Sequence, residues 1–446
     1  MRSFTVAALT PEQFDDFSAH HPQGNFQQTS AMGRLRAKRG VEVEYIGVFE
    51  ANAVVAAALF ETHRSRLSTF AAVHDGPLCD WHDKELSAYL IDQLKAHAKK
   101  KGAAQLEITP EFPYRLLDTA GKPLPSPASE FSGDEESDKH AVVWPCGVPR
   151  SATSAPDTAS LETLKQLGLR HGGFTTGYTA VPRWRYLKDL TGIADEKALL
   201  NSYDKRTQWS VKRAQSMGVH VREVEGDELK IFADIEQATA ERRSFEYRGE
   251  GYFRDFKAAF GDKAHFMVAE IHIAEYVAQM TAKRDALTAK VASLQAKYDE
   301  HPTTKTQRQL GEETRNLEAA VKRLAEASEF AKQGDILPAA ASLFVEHPRE
   351  VIYLFSGSVE EYKPFYASAL IQHVAMRDLC VAKRQTRYNF YGIDGIFDDP
   401  NSEGRGVLEF KQGFNGYVEE LSGEFELTVR PLTYAVKQIA HTLLRH

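Results

Sequence analysis

Cations sit beside aromatic rings at two places in this 446-residue chain. One is the run Arg183-Trp184-Arg185-Tyr186, and the other runs from Lys205-Arg206 past Lys212-Arg213 to Gly218. Lys205, Arg206 and Lys212 gather positive charge on a short amphipathic helix, a pattern that a plain solvated helix face also shows. Other chemistries find little footing. There is no GxSxG elbow or reactive-cysteine signature to supply a nucleophile, and no GxGxxG or Walker loop to support hydride transfer or nucleotide-driven work. The 16 histidines are scattered without an HExxH pair, so no metal centre is expected. Cys79, Cys146 and Cys380 are too far apart for a disulfide framework or a CxxC pair, which suits a reducing cytoplasm.

The elements that must position such groups are mixed. Tyr45–Phe49 and Val54–Phe60 read as paired strands. Asp83–Lys101 reads as a helix with a cationic last turn stopped by Gly102, and Ala104–Ile108 as a short strand ended by prolines. The acidic, Pro- and Ser-rich stretch from Gly121 to Asp138 reads as a solvated insertion. Helical spacing returns at Ser160–Leu169, and Phe174–Leu187 looks like a strand. Ala339–Val345, Val351–Phe355, Tyr388–Tyr391 and Glu424–Val429 read as further strands, with Tyr362–Leu379 as a helix between them.

The strongest pattern lies between Glu275 and Lys332. Val277, Met280, Leu287, Val291, Leu294 and Tyr298 follow alternating steps of three and four, with Arg284 interrupting one position, and Leu310, Thr314, Leu317, Val321 and Leu324 form a second register. Pro302 between them breaks a continuous helix, so two antiparallel helices form an arm. Each helix of about 25 residues would reach roughly 35–40 Å. The arm reads equally as a spacer, as a homodimer contact, or as an RNA-contacting element whose lysines are interleaved with acids.

Bulk properties set limits. The 42% hydrophobic and 26% charged composition is that of a globular protein, large enough for two or three units. A net charge of −7 argues against indiscriminate nucleic-acid binding, so an RNA partner would need local basic patches. Near the N-terminus the longest apolar run, Val54–Phe60, is far short of a membrane span, and Pro11, Glu12, Asp15 and Asp16 fall where a signal peptide would stay apolar.

Two late runs carry a family likeness. Tyr388-Asn389-Phe390-Tyr391-Gly392-Ile393-Asp394-Gly395 and Gly406-Val407-Leu408-Glu409-Phe410-Lys411-Gln412-Gly413-Phe414-Asn415 resemble the C-terminal signature of the Fem peptidyltransferases. Phe26-Gln27-Gln28-Thr29, Asp75-Gly76-Pro77, Ile108-Thr109-Pro110, Tyr353–Gly357, Phe365–Gln372 and the arm extend the resemblance over nearly the whole chain. It implies an α/β fold of two GNAT-like subdomains with an inserted antiparallel coiled-coil arm. The expected division is 1–155 for the first subdomain, 156–273 with 335–430 for the second, 274–334 for the arm and 431–446 for a C-terminal helix.

The implied activity is transfer of an amino acid from aminoacyl-tRNA to the side-chain amine of the third stem-peptide residue of a peptidoglycan precursor. That precursor is lipid II or a UDP-linked muropeptide. The transfer needs no cofactor beyond the tRNA co-substrate, and the resemblance places the chain in the cytoplasm, at the inner membrane face. An aminoacyl ester is already activated, so the enzyme must orient the amine, remove its proton and stabilise an oxyanion. An alkyl amine of pKa about 10.4 is neutral only about once in 2,500 molecules at pH 7, a cost of roughly 4–5 kcal/mol.

The resemblance also assigns roles. Lys411 would bind the acyl donor or stabilise negative charge, with Phe410 beside it. Arg36, where relatives usually have lysine, would hold a precursor phosphate, and Lys205, Arg206 and Lys212 fall in a region used for phosphate or tRNA. Tyr353 and Tyr366 are hydrogen-bond donors for substrate, and Phe355 stands where some relatives have a sugar-nucleotide tyrosine. Thr109 occupies a position where many similar sequences have aspartate, which leaves Glu111 and Asp394 as substitute bases. Two alternatives stay open. One is an acyl-CoA GNAT enzyme, whose phosphate loop Gln215–His220 departs from the usual pattern at its last position. The other is a scaffold that binds RNA or protein through the arm.

Overall fold

The computed structural model describes residues 2–65, 68–124, 147–149 and 151–434. The acidic insertion lies almost wholly outside the described residues, as does the C-terminal helix beyond residue 434. The first part of the chain runs β1 (Phe4–Ala8), α1 (Pro11–His20), α2 (Ser30–Lys38), β2 (Glu42–Glu50), β3 (Ala53–Arg64), β4 (Thr69–Val73), α3 (Lys84–Lys101), β5 (Gln105–Ile108), β6 (Pro113–Leu117), α4 (Thr158–Gln166) and β7 (Arg170–His171). The second runs β8 (Trp184–Asp189), α5 (Glu196–Asn201), α6 (Lys205–Gln215), β9 (Val219–Glu223), α7 (Leu229–Arg243), α8 (Glu250–Phe260), β10 (Ala264–His272), α9 (Ile273–Glu300), α10 (Thr304–Phe330), β11 (Ile336–His347), β12 (Glu350–Ser358), α11 (Ala367–Ala375), β13 (Arg387–Ile393), α12 (Arg405–Gln412), β14 (Tyr417–Leu421) and β15 (Phe425–Thr428).

Two mixed sheets result, in the expected α/β class, with the helical arm inserted in the second. The first is ordered β1-β2-β3-β4-β5-β15-β7 and the second β6-β14-β8-β13-β12-β11-β10-β9. Every neighbouring pair is antiparallel except β4–β5 in the first sheet and β12–β13 in the second. The sheets exchange strands, which the expected boundaries at 155 and 430 did not foresee. β6 pairs with β14 in the second sheet, and β15 crosses back to lie between β5 and β7 in the first. Pairing partners so distant in sequence leave no local signature.

Local chemistry sets the ends of the elements. Thr10 and Gln13 cap α1 reciprocally, and Asp83 accepts the Leu86 N–H to start α3, which Gly102 ends in the left-handed region at φ 83°. The strand expected over Phe174–Leu187 begins only at Trp184. Ahead of it, Arg183 Nη1 and Trp184 Nε1 both donate to Thr175 O, at 2.9 and 3.0 Å, and Gly177 N–H donates to Asp394 O, so side chains and a distant loop take up the bonds a ladder would use. The helix expected over Tyr362–Leu379 is interrupted. A 3-10 turn containing Pro364 precedes Tyr366 at φ 57°, α11 follows, and a π-helical turn closes the segment at Met376–Val381.

The arm grows from a hairpin. α9 and α10 join β10 to β11, which are paired antiparallel from Ala264↔Val345 to His272↔Ile336. His301–Thr303 separate the helices, and Thr303 restarts the second by accepting the Thr306 N–H. The seam follows the expected register with one change: Ala320 is buried where Val321 was expected, and Val321 is exposed. Small residues at 320 and 327 let the helices approach near the root, where Tyr276, Met280 and Ala327 join the core of the second unit.

Because the strands flanking the arm already pair with each other, the body does not depend on the arm's outer turns. Excising 285–318 and closing the helices with a short Gly-rich turn is expected to leave the thermal unfolding midpoint within about 3 °C of the full chain. A cooperative loss of structure on excision, seen by circular dichroism, would show that the arm is part of the folding unit.

Candidate active site

The two strands that open the site pair for only two residues. Val351↔Tyr388 and Ile352↔Asn389 are the whole β12–β13 register, after which the parallel strands part. On the β13 side the ladder to β8 also jumps between Asn389 and Gly392, where Tyr391 sits at φ 62° and Asn389 Oδ1 accepts the Tyr391 N–H. The kink turns the Tyr391 and Gly392 carbonyls out of the sheet. A cleft of about 1840 Å³ opens there, with Tyr353 and Phe355 on one strand and Phe390, Tyr391 and Gly392 on the other.

Lys411 reaches into this gap from the last turn of α12. It is 4% exposed, and its Nζ donates to Gly392 O at 2.6 Å and more weakly to Tyr391 O at 3.5 Å. No carboxylate pairs with it among the described residues. Burial alone pushes its amine down to about 7, which makes it half ammonium at neutral pH, able to give or take a proton. Phe410 also lines the cleft and packs on Phe414.

The cleft is cationic although the chain is acidic. Eight Arg or Lys and four Asp or Glu side chains line it among the described residues. Arg36 is one of them, held by Glu61 at 3.1 Å and by Gln27 Oε1 at 3.1 Å. Glu61 is buried, yet hydrogen bonds from His63 and His74 and the charge of Arg36 hold it down at about 2. Arg206 and Tyr366 line the cleft too, with Tyr366 against the exposed ring of Trp209.

Four expected residues lie elsewhere. Lys205 and Lys212 are solvent-exposed on α6 and do not line the cleft. Asp394 is a turn residue: its Oδ1 accepts the Ile396 N–H at 3.1 Å, its main-chain O accepts from Gly177, and its carboxylate lies against Gly404. Glu111 is enclosed in a charge cluster where Arg185 reaches it at 3.0 Å and Asp75 at 2.6 Å, with Arg349 at 3.3 Å. Neither acid lines the cleft, so neither is placed as the base. Thr109 is structural as well, its Oγ1 accepting the Asp75 N–H at 2.7 Å.

Sequence reasoning passed over several cleft residues. Arg242 and Arg243 at the end of α7, Arg248 beyond it and Tyr252 line the wall, as does Glu236 earlier on α7. The run Arg242-Arg243-Ser244-Phe245-Glu246-Tyr247-Arg248 was a legible signal, since it mixes cations with aromatics as the two runs first noted do. At the arm root His220, His272 and Glu275 also meet, their ligand-type atoms within 4.8 Å of one another, a grouping that no sequence spacing revealed.

Glu111 offers a direct check on its structural placement. Burial, opposed by Arg185 and reinforced by Asp75, pushes its carboxyl up to about 8 from 4.5. The folded protein therefore keeps a proton that the unfolded chain has lost, and this group's stabilisation is lost as pH rises from about 4.5 to about 8. Glu111→Gln is expected to flatten the fall in unfolding free energy across that window, measured by urea titration at several pH values. An unchanged pH slope would contradict the raised value.

Comparison with known proteins extends the geometry to the whole chain. The model of the FemAB family matches residues 9–442. The chain is 26% identical over 441 residues to "Aminoacyltransferase FemA" of Staphylococcus epidermidis, covering 98% of both chains. It is 27% identical over 452 residues to the Staphylococcus aureus protein of the same name, covering 98% of this chain and 97% of the other. The crystal structure of FemX superposes with a TM-score of 0.71 at 21% identity, covering 97% of this chain and 99% of FemX, so the two share a fold. The family model spans both sheets, the arm and the Lys411 cleft, and on that match the chain belongs to the FemAB family.

Proposed function

We propose that this aminoacyltransferase takes its acyl group from aminoacyl-tRNA and passes it to the side-chain amine of the third residue of a peptidoglycan stem peptide. The acceptor is a lipid-linked or UDP-linked precursor, and a lipid-linked one is met at the membrane face. The observation that carries this reading is Lys411, a buried amine with carbonyl partners and no counter-carboxylate among the described residues, at the floor of a cationic cleft. The excess of arginine suits a substrate bearing phosphates, and Arg36 and Arg206 in the lining support that reading.

Aminolysis of an ester builds negative charge on the carbonyl oxygen and then on the departing ribose oxygen. In its ammonium form Lys411 supplies charge and a proton at such a centre, and burial strengthens that interaction because little water competes. Gly392 and Tyr391 fix where the amine sits, so the side chain pays little reorganisation when charge develops. A neutral Lys411 forms easily as well, since its amine is already lowered to about 7. The cleft thus has an acid that can be recharged at physiological pH.

Purified protein incubated with a mixture of charged tRNAs and the lipid-linked precursor is expected to add one aminoacyl mass to the acceptor. Lys411→Met is expected to lower the rate about 100-fold or more, on the scale of removing one oxyanion donor, while the fold seen by circular dichroism is retained. Acetylation of an amine from acetyl-CoA, with no mass gain from any tRNA, would overturn the reading in favour of a CoA-dependent enzyme.

A further inference from the structure

One carboxylate in the cleft differs from the rest. Of the four acids that line it, Asp204 accepts the Thr207 N–H as the cap of α6, Glu409 pairs with Arg405 at 2.7 Å, and Glu403 is exposed. Glu236 is 2% exposed, forms no ion pair among the described residues, and its Oε2 is buried without a hydrogen-bond partner. A desolvated, unsatisfied carboxylate costs stability and is retained only where something compensates.

The surroundings of Glu236 define what would fit. It projects from α7, the helix packed over β12, so it shares the wall of the cleft with Tyr353 and Phe355. The titratable groups whose fields reach it are Arg248 and Tyr247. Arg248 lies over the Tyr252 ring and makes no ion pair with Glu236. A cleft rich in cations repels a second cation at nearly every point of its lining. A buried, unpaired carboxylate is where an ammonium would be accepted.

We propose that Glu236 receives the acceptor amine, pairing with it as an ammonium and then taking the proton that blocks attack. This rests on the aminoacyl-transfer reading and fills the role for which Thr109, Glu111 and Asp394 are unsuited. The acceptor ammonium gives one proton to the Glu236 carboxylate. The freed nitrogen lone pair then forms a C–N bond to the ester carbonyl carbon of the aminoacyl-tRNA, and the C–O bond to the ribose breaks. The ribose oxygen takes a proton from the Lys411 ammonium, which recovers one from the new amide nitrogen, and Glu236 later releases its proton to water. One ester and one ammonium thus give one amide, one hydroxyl and one proton.

Burial, with Arg248 opposing, raises the Glu236 carboxyl to about 7, in the range that suits a base working on an amine near neutrality. The transfer rate should therefore fall as pH drops below about 7, where Glu236 is protonated. It should fall again above about 7, where Lys411 loses its proton.

Glu236→Gln tests the assignment. Transfer from charged tRNA to the precursor is expected to drop about 100-fold or more, with the acidic limb of the pH profile lost and the alkaline limb kept. The melting temperature near pH 8 is expected to stay level or rise, because an unpaired buried charge is gone. Glu236→Asp, which keeps the charge, should retain the acidic limb. Transfer within about twofold of the unaltered protein with both limbs intact would overturn the proposal, and so would a loss of activity that tracks a fall in melting temperature. If the unaltered protein transfers nothing from any tRNA, the function proposed above fails and this role fails with it; normal transfer by that protein beside a fully active Glu236→Gln sinks the role of Glu236 alone.

Discussion

The early parting of β12 and β13 is the constraint on which the site depends. Two residue pairs hold the strands together, and beyond them the kink at Asn389–Gly392 points main-chain carbonyls into the gap. An ammonium can be buried there because those carbonyls replace water, and no carboxylate among the described residues compensates its charge. A continuous parallel ladder would consume the same carbonyls in strand pairing. Lys411 would then have no partner, and the cleft no floor.

The strand exchange gives that arrangement its rigidity. β15 returns to the first sheet and β6 joins the second, so neither unit is a closed piece of chain. Arg185 on β8 binds Asp75 and Glu111, both from the first part of the chain, in a cluster nearly free of solvent. Breaking such a cluster strands charge in the interior, which resists opening of the two halves. Arg36 and His74 come from the first unit while Glu236, Tyr353 and Lys411 come from the second, so the cleft wall is shared between them.

The legible and illegible parts of the chain divide along physical lines. The arm could be read because a seam with steps of three and four is local and repeats, and the break at Pro302 is a local rule. Its one error, Val321 for Ala320, reflects close helix approach near the root. Lys411 and Phe410, which line the cleft, were singled out by their motif, which periodicity alone would not have marked. Glu111 and Asp394 were chosen because carboxylates can act as bases. Whether they face a cleft or a cluster of arginines depends on strands far apart in sequence. Glu236 was passed over as one more charged residue of a helix, although Phe232, Ala233, Thr239 and Ala240, three and four positions to either side, put it on the buried face of α7.

The chemistry of the cleft turns on the protonation state of one amine. A carbon-13 NMR titration of ε-labelled lysines, with the Lys411 signal identified by its absence in Lys411→Met, measures it. The expected midpoint is about 7, set by burial in the cleft floor. A midpoint at the ordinary lysine value of 10.5 would show that water reaches the amine, and would contradict the site described for it.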